Sequence, residues 1–185
     1  KFLLKFPTFE HFLYYSSFYH FVRNIYMEPK LMFMIECQYI WDLCQFISDP
    51  RMRYKFALVA RGHWKTSICT VADTLWDLAR NPRERIFLWS GSEYQVAKVI
   101  RMIKFHLMHN ARFKQYFPET AVDPKKKPEV WNSKELKIEI EREIPLLDST
   151  VSIATPRMGV SGGHYSQIKG DDAVNNENYK SKKKV

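Results

Sequence analysis

Lys55–Ser67, KFALVARGHWKTS, reads as a strand, a tight turn and the start of a helix. Phe56–Ala60 is a short apolar run without helical period, the pattern of a strand buried on both faces. Arg61-Gly62-His63-Trp64 forms the turn, and Lys65, Thr66 and Ser67 open an amphipathic helix. Its apolar face is Ile68, Val71, Ala72, Leu75 and Ala79, at i, i+3, i+4, i+7 spacing. A Lys-Thr pair at such a junction is what a phosphate-binding loop requires. Backbone N–H groups and the helix dipole hold phosphate oxygens, the ammonium reaches the terminal phosphates, and the hydroxyl binds Mg²⁺. The G-x-x-x-x-G-K-[ST] pattern is not met, because Val59 and Trp64 stand where the two glycines would be. An ordinary strand-turn-helix is the alternative for this stretch alone.

A second signal lies about a hundred residues on. Gly162–Gly170 (GGHYSQIKG) leads into Asp171-Asp172-Ala173-Val174 and then Asn175-Asn176-Glu177-Asn178. Two adjacent acids after a short strand suit the other half of a phosphoryl-transfer site. One carboxylate holds Mg²⁺, and the next orients and deprotonates the attacking water. Asp-Asp pairs are common in solvated turns, and only Tyr165 and Ile168 of the preceding strand are clearly apolar. In this order and at this separation, the two motifs point to a P-loop ATPase.

The runs ARGHWKTS, RIFLWSGSE and GGHYSQIKGDDAVNNEN resemble the ATPase domain of large terminase subunits, the motors that package DNA into capsids of tailed viruses. The resemblance covers about Glu28 to Asn178. It lies in an arginine inside the phosphate loop (Arg61), an aromatic in place of the last loop glycine, and the pattern G-x-H-[YF]-x-x-I-x-x-DD-x-V-x-x-x-N. It implies that ATP is held by Arg61, Gly62, His63, Trp64, Lys65, Thr66 and Ser67, with Thr66 and Asp171 on Mg²⁺. It implies that Asp172 is the catalytic carboxylate, assisted by Lys65 and Arg61. Two positions depart from the family pattern. Ser166 sits where Asp is frequent, and Lys169-Gly170 interrupts the usual apolar run, which bears on how that strand packs.

The resemblance further implies double-stranded DNA, a portal protein on the procapsid and a small terminase subunit as partners. It also implies a homo-oligomeric ring and the host cytoplasm as location. In such proteins the segment before the phosphate loop contacts adenine, so Gln38, Tyr39 or Trp41 is a candidate to stack on the base. A place in the core is the alternative for each.

Composition agrees with a globular domain: 185 residues, 45% apolar and 15% aromatic, are enough for one sizeable core. No apolar run approaches the roughly 18 residues of a membrane span. Phe2-Leu3-Leu4 is broken by Lys5, with no small-residue cleavage site, which argues against a signal peptide. Cys37, Cys44 and Cys69 are odd in number and lack metal spacing, so they read as reduced, partly buried thiols. The net charge of +9 invites a nucleic-acid reading, but Lys125–Lys127 and Lys182–Lys184 supply six of those charges and leave +3 for the rest.

Along the chain, residues 1–26 hold ten of the 28 aromatics, and Tyr14, Phe18, Phe21, Val22 and Ile25 form a helical stripe after Pro7-Thr8. The stripe predicts a helix packed on the main domain, with a lid or motor-partner surface as the alternative. Leu31–Ile47 predicts a second helix, facing inward through Ile35, Tyr39, Leu43 and Phe46 or Ile47, and ended by Ser48-Asp49-Pro50. Arg85–Trp89 predicts a strand. The helix after Ser90-Gly91-Ser92 buries Val96, Val99, Ile100, Ile103 and Leu107, and turns Lys98, Arg101 and Lys104 to DNA or to water. His106 and His109 have no third ligand. Glu135–Glu141 alternates as an edge strand, and Val151–Ala154 is a further strand.

The expected fold is α/β: an ASCE-type P-loop NTPase, a three-layer sandwich incomplete after the acidic strand. Residues 1–50 form an N-terminal helical segment and 51–185 the ATPase core. The expected function is the ATPase of a terminase motor, with the nuclease domain absent. A helicase-like translocase and a nucleotide-binding module without hydrolysis are the alternatives.

Overall fold

The computed structural model describes residues 6–126, 128–138, 149–155 and 163–172. Thr8 starts helix α1 (Phe9–Ser16), its hydroxyl accepting from the His11 N–H at 3.1 Å. Ser17 breaks the run. The chain continues as α2 (Phe18–Phe21) and a π-helical stretch, Val22–Tyr26. The expected stripe Tyr14, Phe18, Phe21, Val22 and Ile25 is buried throughout. It packs on the main core: Phe18 lies against Trp76 at 5.2 Å between ring centres, and the Trp76 indole N–H donates to the Tyr14 carbonyl at 3.0 Å.

The expected helix over Leu31–Ile47 is interrupted. Pro29–Met34 is a 3₁₀ turn, and helix α3 spans Gln38–Ser48. Ile35, fully buried, ends the first turn, and the restart resets the helical face. Ile40, Leu43 and Cys44 therefore face inward, while Tyr39 and Trp41 remain exposed. Asp49 closes α3, as Ser48-Asp49-Pro50 predicts.

The strand expected at Phe56–Ala60 does not form. The segment has no regular secondary structure and pairs with no strand among the described residues, and Tyr54, Phe56 and Leu58 are 84%, 81% and 87% exposed. Ala57 and Val59, half-buried, pack on the core, so the run is apolar on both sides yet partly covered on one only. The turn after it feeds a π-helical stretch, Thr66–Ala72, that runs into helix α4 (Asp73–Arg80). Ile68, Val71, Ala72, Leu75 and Ala79 are all buried, the face that the sequence predicts.

Strand β1 (Ile86–Ser90) is followed by helix α5 (Glu93–His109), with Val96, Val99, Ile100, Ile103 and Leu107 inward. Helix α6 (Ala111–Tyr116) starts at Asn110, whose side chain accepts from the Phe113 N–H. Strands β2 (Glu135–Leu136), β3 (Val151–Ala154) and β4 (Gln167–Asp171) complete a four-stranded sheet in the order β2-β3-β1-β4. Strands β3 and β4 flank β1 in parallel, and β2 is antiparallel to β3.

Cross-strand register defines the inward face: Val151 and Ile153 on β3, Ile86, Leu88 and Ser90 on β1, and Gln167, Lys169 and Asp171 on β4. Helix α5 packs on β1 and β3 of this face, Thr66–Ala72 packs on β4, and α4 packs against α5 and reaches β4 through Lys169. The opposite face shows Trp89 and Ile168 to solvent. The described residues thus form a mixed α/β domain with helices on one side of its sheet, two layers of the expected three. No helix among them is long and apolar enough to cross a membrane.

The exposed basic face of α5 is smaller than its sequence suggests. Lys98 and Arg101 are exposed, but Lys104 folds back to the carbonyls of Asn132 and Glu135 and lies 4.8 Å from the Trp131 ring centre. Burial pulls its ammonium down to about 8, against the raising pull of Glu135. His106 is likewise part of the packing, stacked 4.7 Å from Tyr26 and pulled down to about 4 by burial.

Two outcomes check this packing by chemical unfolding. Phe18→Ala is expected to cost about 3–5 kcal/mol, as a fully buried aromatic does, and Leu58→Ser to stay within about 0.5 kcal/mol, as an exposed residue does. Thiol labelling checks the cysteines. Burial pushes Cys44 and Cys69 up to about 12, so at neutral pH only the exposed Cys37 is expected to react in the folded chain.

Candidate phosphate and metal site

Gly62 and Trp64 shape the loop between Phe56–Ala60 and the helix. Gly62 has φ +83°, and Trp64 has φ +60°. Trp64 therefore holds the left-handed backbone where the phosphate-loop pattern has its second glycine. An L residue there costs on the order of 1–2 kcal/mol, which packing of the half-buried indole against the core offsets. The helix begins at once, with the Ile68 N–H bonded to the Trp64 carbonyl at 2.8 Å.

That start places Lys65 and Thr66 against the end of β4. The Lys65 ammonium is bonded to Asp172 Oδ1 and lies 3.7 Å from Asp171 Oδ1. The Thr66 hydroxyl donates to Asp171 Oδ2 at 2.7 Å. The four residues come together across separations of 105 and 107 positions. Asp171 is buried, while the Asp172 side chain is 64% exposed at the rim. Asp172 takes φ +45°, a left-handed conformation that Asp tolerates better than most residues. Its carbonyl accepts from the Gly91 N–H at 3.1 Å, so the β1–α5 turn closes over the same end of the sheet. Burial works to lower the Lys65 ammonium, but the hydrogen bond and charge of Asp172, then Asp171, outweigh it and hold the group above its usual value.

The remaining loop residues do not converge. Arg61 is exposed, and its side chain has no polar partner among the described residues. His63 Nδ1 bonds the Arg61 carbonyl at 3.0 Å, and its ring meets Tyr39 edge-on at 5.8 Å. Ser67 turns to Tyr26, whose phenol is pushed up to about 12 by burial, with the Ser67 hydrogen bond pulling the other way. Of the adenine candidates, Tyr39 borders the loop, donating to the His63 carbonyl at 3.5 Å. Gln38 and Trp41 instead line a shallow hollow with Tyr19, Glu36 and Cys37. Ala173–Asn178 lie outside the described residues.

Ser166 and Lys169, the two positions at odds with the resemblance, both have partners inside the fold. The Ser166 hydroxyl accepts from the Arg85 N–H at 3.1 Å and donates to Glu84, stitching the start of β4 to the start of β1. Lys169 reaches inward to Asp73 and Asp77 on α4. Sequence reading missed these two acids, although their i, i+4 spacing on a predicted helix was visible.

Three hard oxygens suit Mg²⁺ in kind: the Thr66 hydroxyl, the Asp171 carboxylate and the Ser90 hydroxyl. Ser90 stands opposite Asp171 in the sheet, and its buried Oγ has no hydrogen-bond partner among the described residues. A buried hydroxyl without a partner is costly, so an orphan beside Asp171 fits a metal whose bound waters would satisfy it. No cluster of three or more His, Cys, Asp or Glu occurs among the described residues, so a closed protein-only metal cage is not formed there.

Compared with protein-family models, with curated proteins and with solved structures, the chain matches none.

Backbone strain at Trp64 makes a sharp comparison. Where φ is negative Ala is ordinarily more stable than Gly, because it loses less chain entropy, yet at φ +60° Trp64→Gly is expected to be more stable than Trp64→Ala by about 1 kcal/mol. Both variants lose the indole, so their difference in chemical unfolding isolates the backbone. An advantage for Ala would contradict the left-handed turn.

Proposed function

We propose that this chain hydrolyses ATP as the motor domain of a DNA-packaging terminase. The meeting of Lys65 and Thr66 with Asp171 and Asp172 at one sheet end carries the reading. A cation and a hydroxyl at a helix start, facing two acids on the neighbouring strand, form a constellation that phosphoryl transfer uses and that core packing does not need. The motor role, with duplex DNA, a portal, a small subunit and a ring as partners, rests on the resemblance of the motifs. So does the host cytoplasm as location.

In this reading Lys65 leaves Asp172 for the terminal phosphates. The exchange frees the exposed Asp172 carboxylate to orient the attacking water and accept its proton. Thr66 and Asp171 would hold Mg²⁺, which would neutralise charge on the phosphate oxygens. Backbone N–H groups at the helix start cradle the phosphates. Arg61, exposed and unpaired among the described residues, is free to reach the γ-phosphate or a neighbouring subunit. The exposed apolar row Tyr54, Phe56 and Leu58 supports a complete motor core with one more strand than the described residues form. A second reading, nucleotide binding without hydrolysis, is favoured by the Lys65–Asp172 pair, which occupies the proposed base.

Calorimetry with Mg-ATP tests the phosphate contact. Lys65→Ala is expected to lose about 2–5 kcal/mol of binding, the range for a desolvated charge contact, and unchanged affinity would refute the assignment. Phosphate release separates the two readings. In a hydrolysing protein, Asp172→Asn is expected to keep ATP bound and stop turnover, and Arg61→Ala to slow it by about 10³–10⁵. Turnover at the wild-type rate in Asp172→Asn would exclude it as the base.

A further inference from the structure

Lys169 interrupts the apolar row expected on the acidic strand, and its charge is fully used inside the fold. Its Nζ donates to Asp73 Oδ2 and Asp77 Oδ2, each at 2.5 Å. The three side chains are only 9%, 16% and 13% exposed. Asp73 and Asp77 are one turn apart on α4 and so project from one face. Strand and helix are thus hooked together by one ammonium shared between two carboxylates.

The phosphate and metal residues bridge the same two elements. Asp171 follows Lys169 by two positions and shares its face of β4. Thr66 begins the helical stretch that runs without a break into α4. Thr66–Asp171 and Lys169–Asp73/Asp77 are therefore two rungs between one strand and one helix. Between them lie the π-helical turns of Thr66–Ala72. Such turns are rare and shift the register of everything before them relative to an α-helix. An apolar side chain at 169 would pack against the helix but would tolerate sliding, whereas a shared ammonium is directional. Buried ion pairs contribute little net stability over apolar packing, so stability alone does not account for this one.

We infer that Lys169, Asp73 and Asp77 are positioning residues that set strand β4 against the phosphate-loop helix and hold Asp171 on Thr66 and Asp172 on Lys65. This rests on the proposed phosphate and metal reading of those four residues.

The test uses the full 185-residue chain. Lys169→Met alone leaves two buried carboxylates facing each other and is expected to destabilise the fold generally. The decisive variant combines Lys169→Met with Asp73→Asn and Asp77→Asn, which removes all three charges at nearly constant volume. Amide hydrogen exchange by NMR is expected to rise about tenfold or more at Gly91 and Ile68 while Leu88 and Ile103 stay at the wild-type rate, a local opening. The ratio of ATP affinity with and without Mg²⁺ is expected to fall by about 10–100-fold, as when a group supporting a metal ligand is lost. Wild-type exchange at Gly91 and Ile68 in the folded triple variant would overturn the inference. So would a uniform rise that includes Leu88 and Ile103, which means stability alone. If the wild-type chain binds no Mg-ATP, the nucleotide reading fails, while the exchange measurement still decides whether the triad positions the four residues.

Discussion

Strand β4 pairs with β1 in parallel register, Gln167 opposite Ile86 and Asp171 opposite Ser90, and the geometry of the candidate site follows from that alignment. Side chains alternate along a strand, so a slip of one residue would turn Lys169 and Asp171 out to solvent and bring Ile168 and Gly170 inward. Apolar burial alone would favour that slip, since Ile168 is the one large apolar side chain of β4. The charges oppose it. Lys169 finds both carboxylates only when it faces α4, and Asp171 finds Thr66 only in the same register. The start of the strand is pinned separately, where the Ser166 and Gln167 N–H groups share the Arg85 carbonyl at 2.9 and 3.2 Å.

The interface between α4 and β4 is consequently graded from dry to wet. Lys169, Asp73 and Asp77 lie inside, where burial pushes the Asp73 carboxyl up to about 6 against the lowering pull of Lys169. Asp171 is as buried as they are, its side chain 8% exposed, while Lys65 is 27% exposed and Asp172 stands at the rim at 64%. Phosphoryl transfer depends on groups held in place and on an entry for the nucleotide and water. Two buried rungs and an open rim at Asp172 satisfy both. The same gradient separates the two acids: the buried one suits metal binding, and the exposed one suits proton acceptance from water.

Much of this was legible along the chain wherever a segment's own pattern decides its structure. Thr8 as a helix start, the buried faces of α4 and α5, and strands β1 and β3 follow from periodicity and capping. Lys65-Thr66 and Asp171-Asp172 stand out because few other roles combine those residue types at a helix start and a strand end. Patterning misled where burial depends on a neighbour. Phe56–Ala60 is apolar enough for a central strand, yet among the described residues it has no strand beside it and turns Phe56 and Leu58 to solvent. Lys104 lies on a helix face that alternation marks as exposed, but Trp131 and two carbonyls reach over to it. Leu31–Ile47 carries a helical period that burial of Ile35 breaks.

By itself the sequence determined which residue types stand at the helix start and the strand end, and which helices and strands present them, because propensity, capping and periodicity act over a few residues. Only the tertiary structure decided that Lys65 meets Asp172 and Thr66 meets Asp171. It also decided that Trp64 takes a glycine's conformation, that Ser90 lies beside Asp171 without a partner among the described residues, and that Lys169 bridges two elements. Those outcomes depend on strand register and on helix placement over the sheet. Register is set by contacts between residues a hundred positions apart, and no local pattern encodes them.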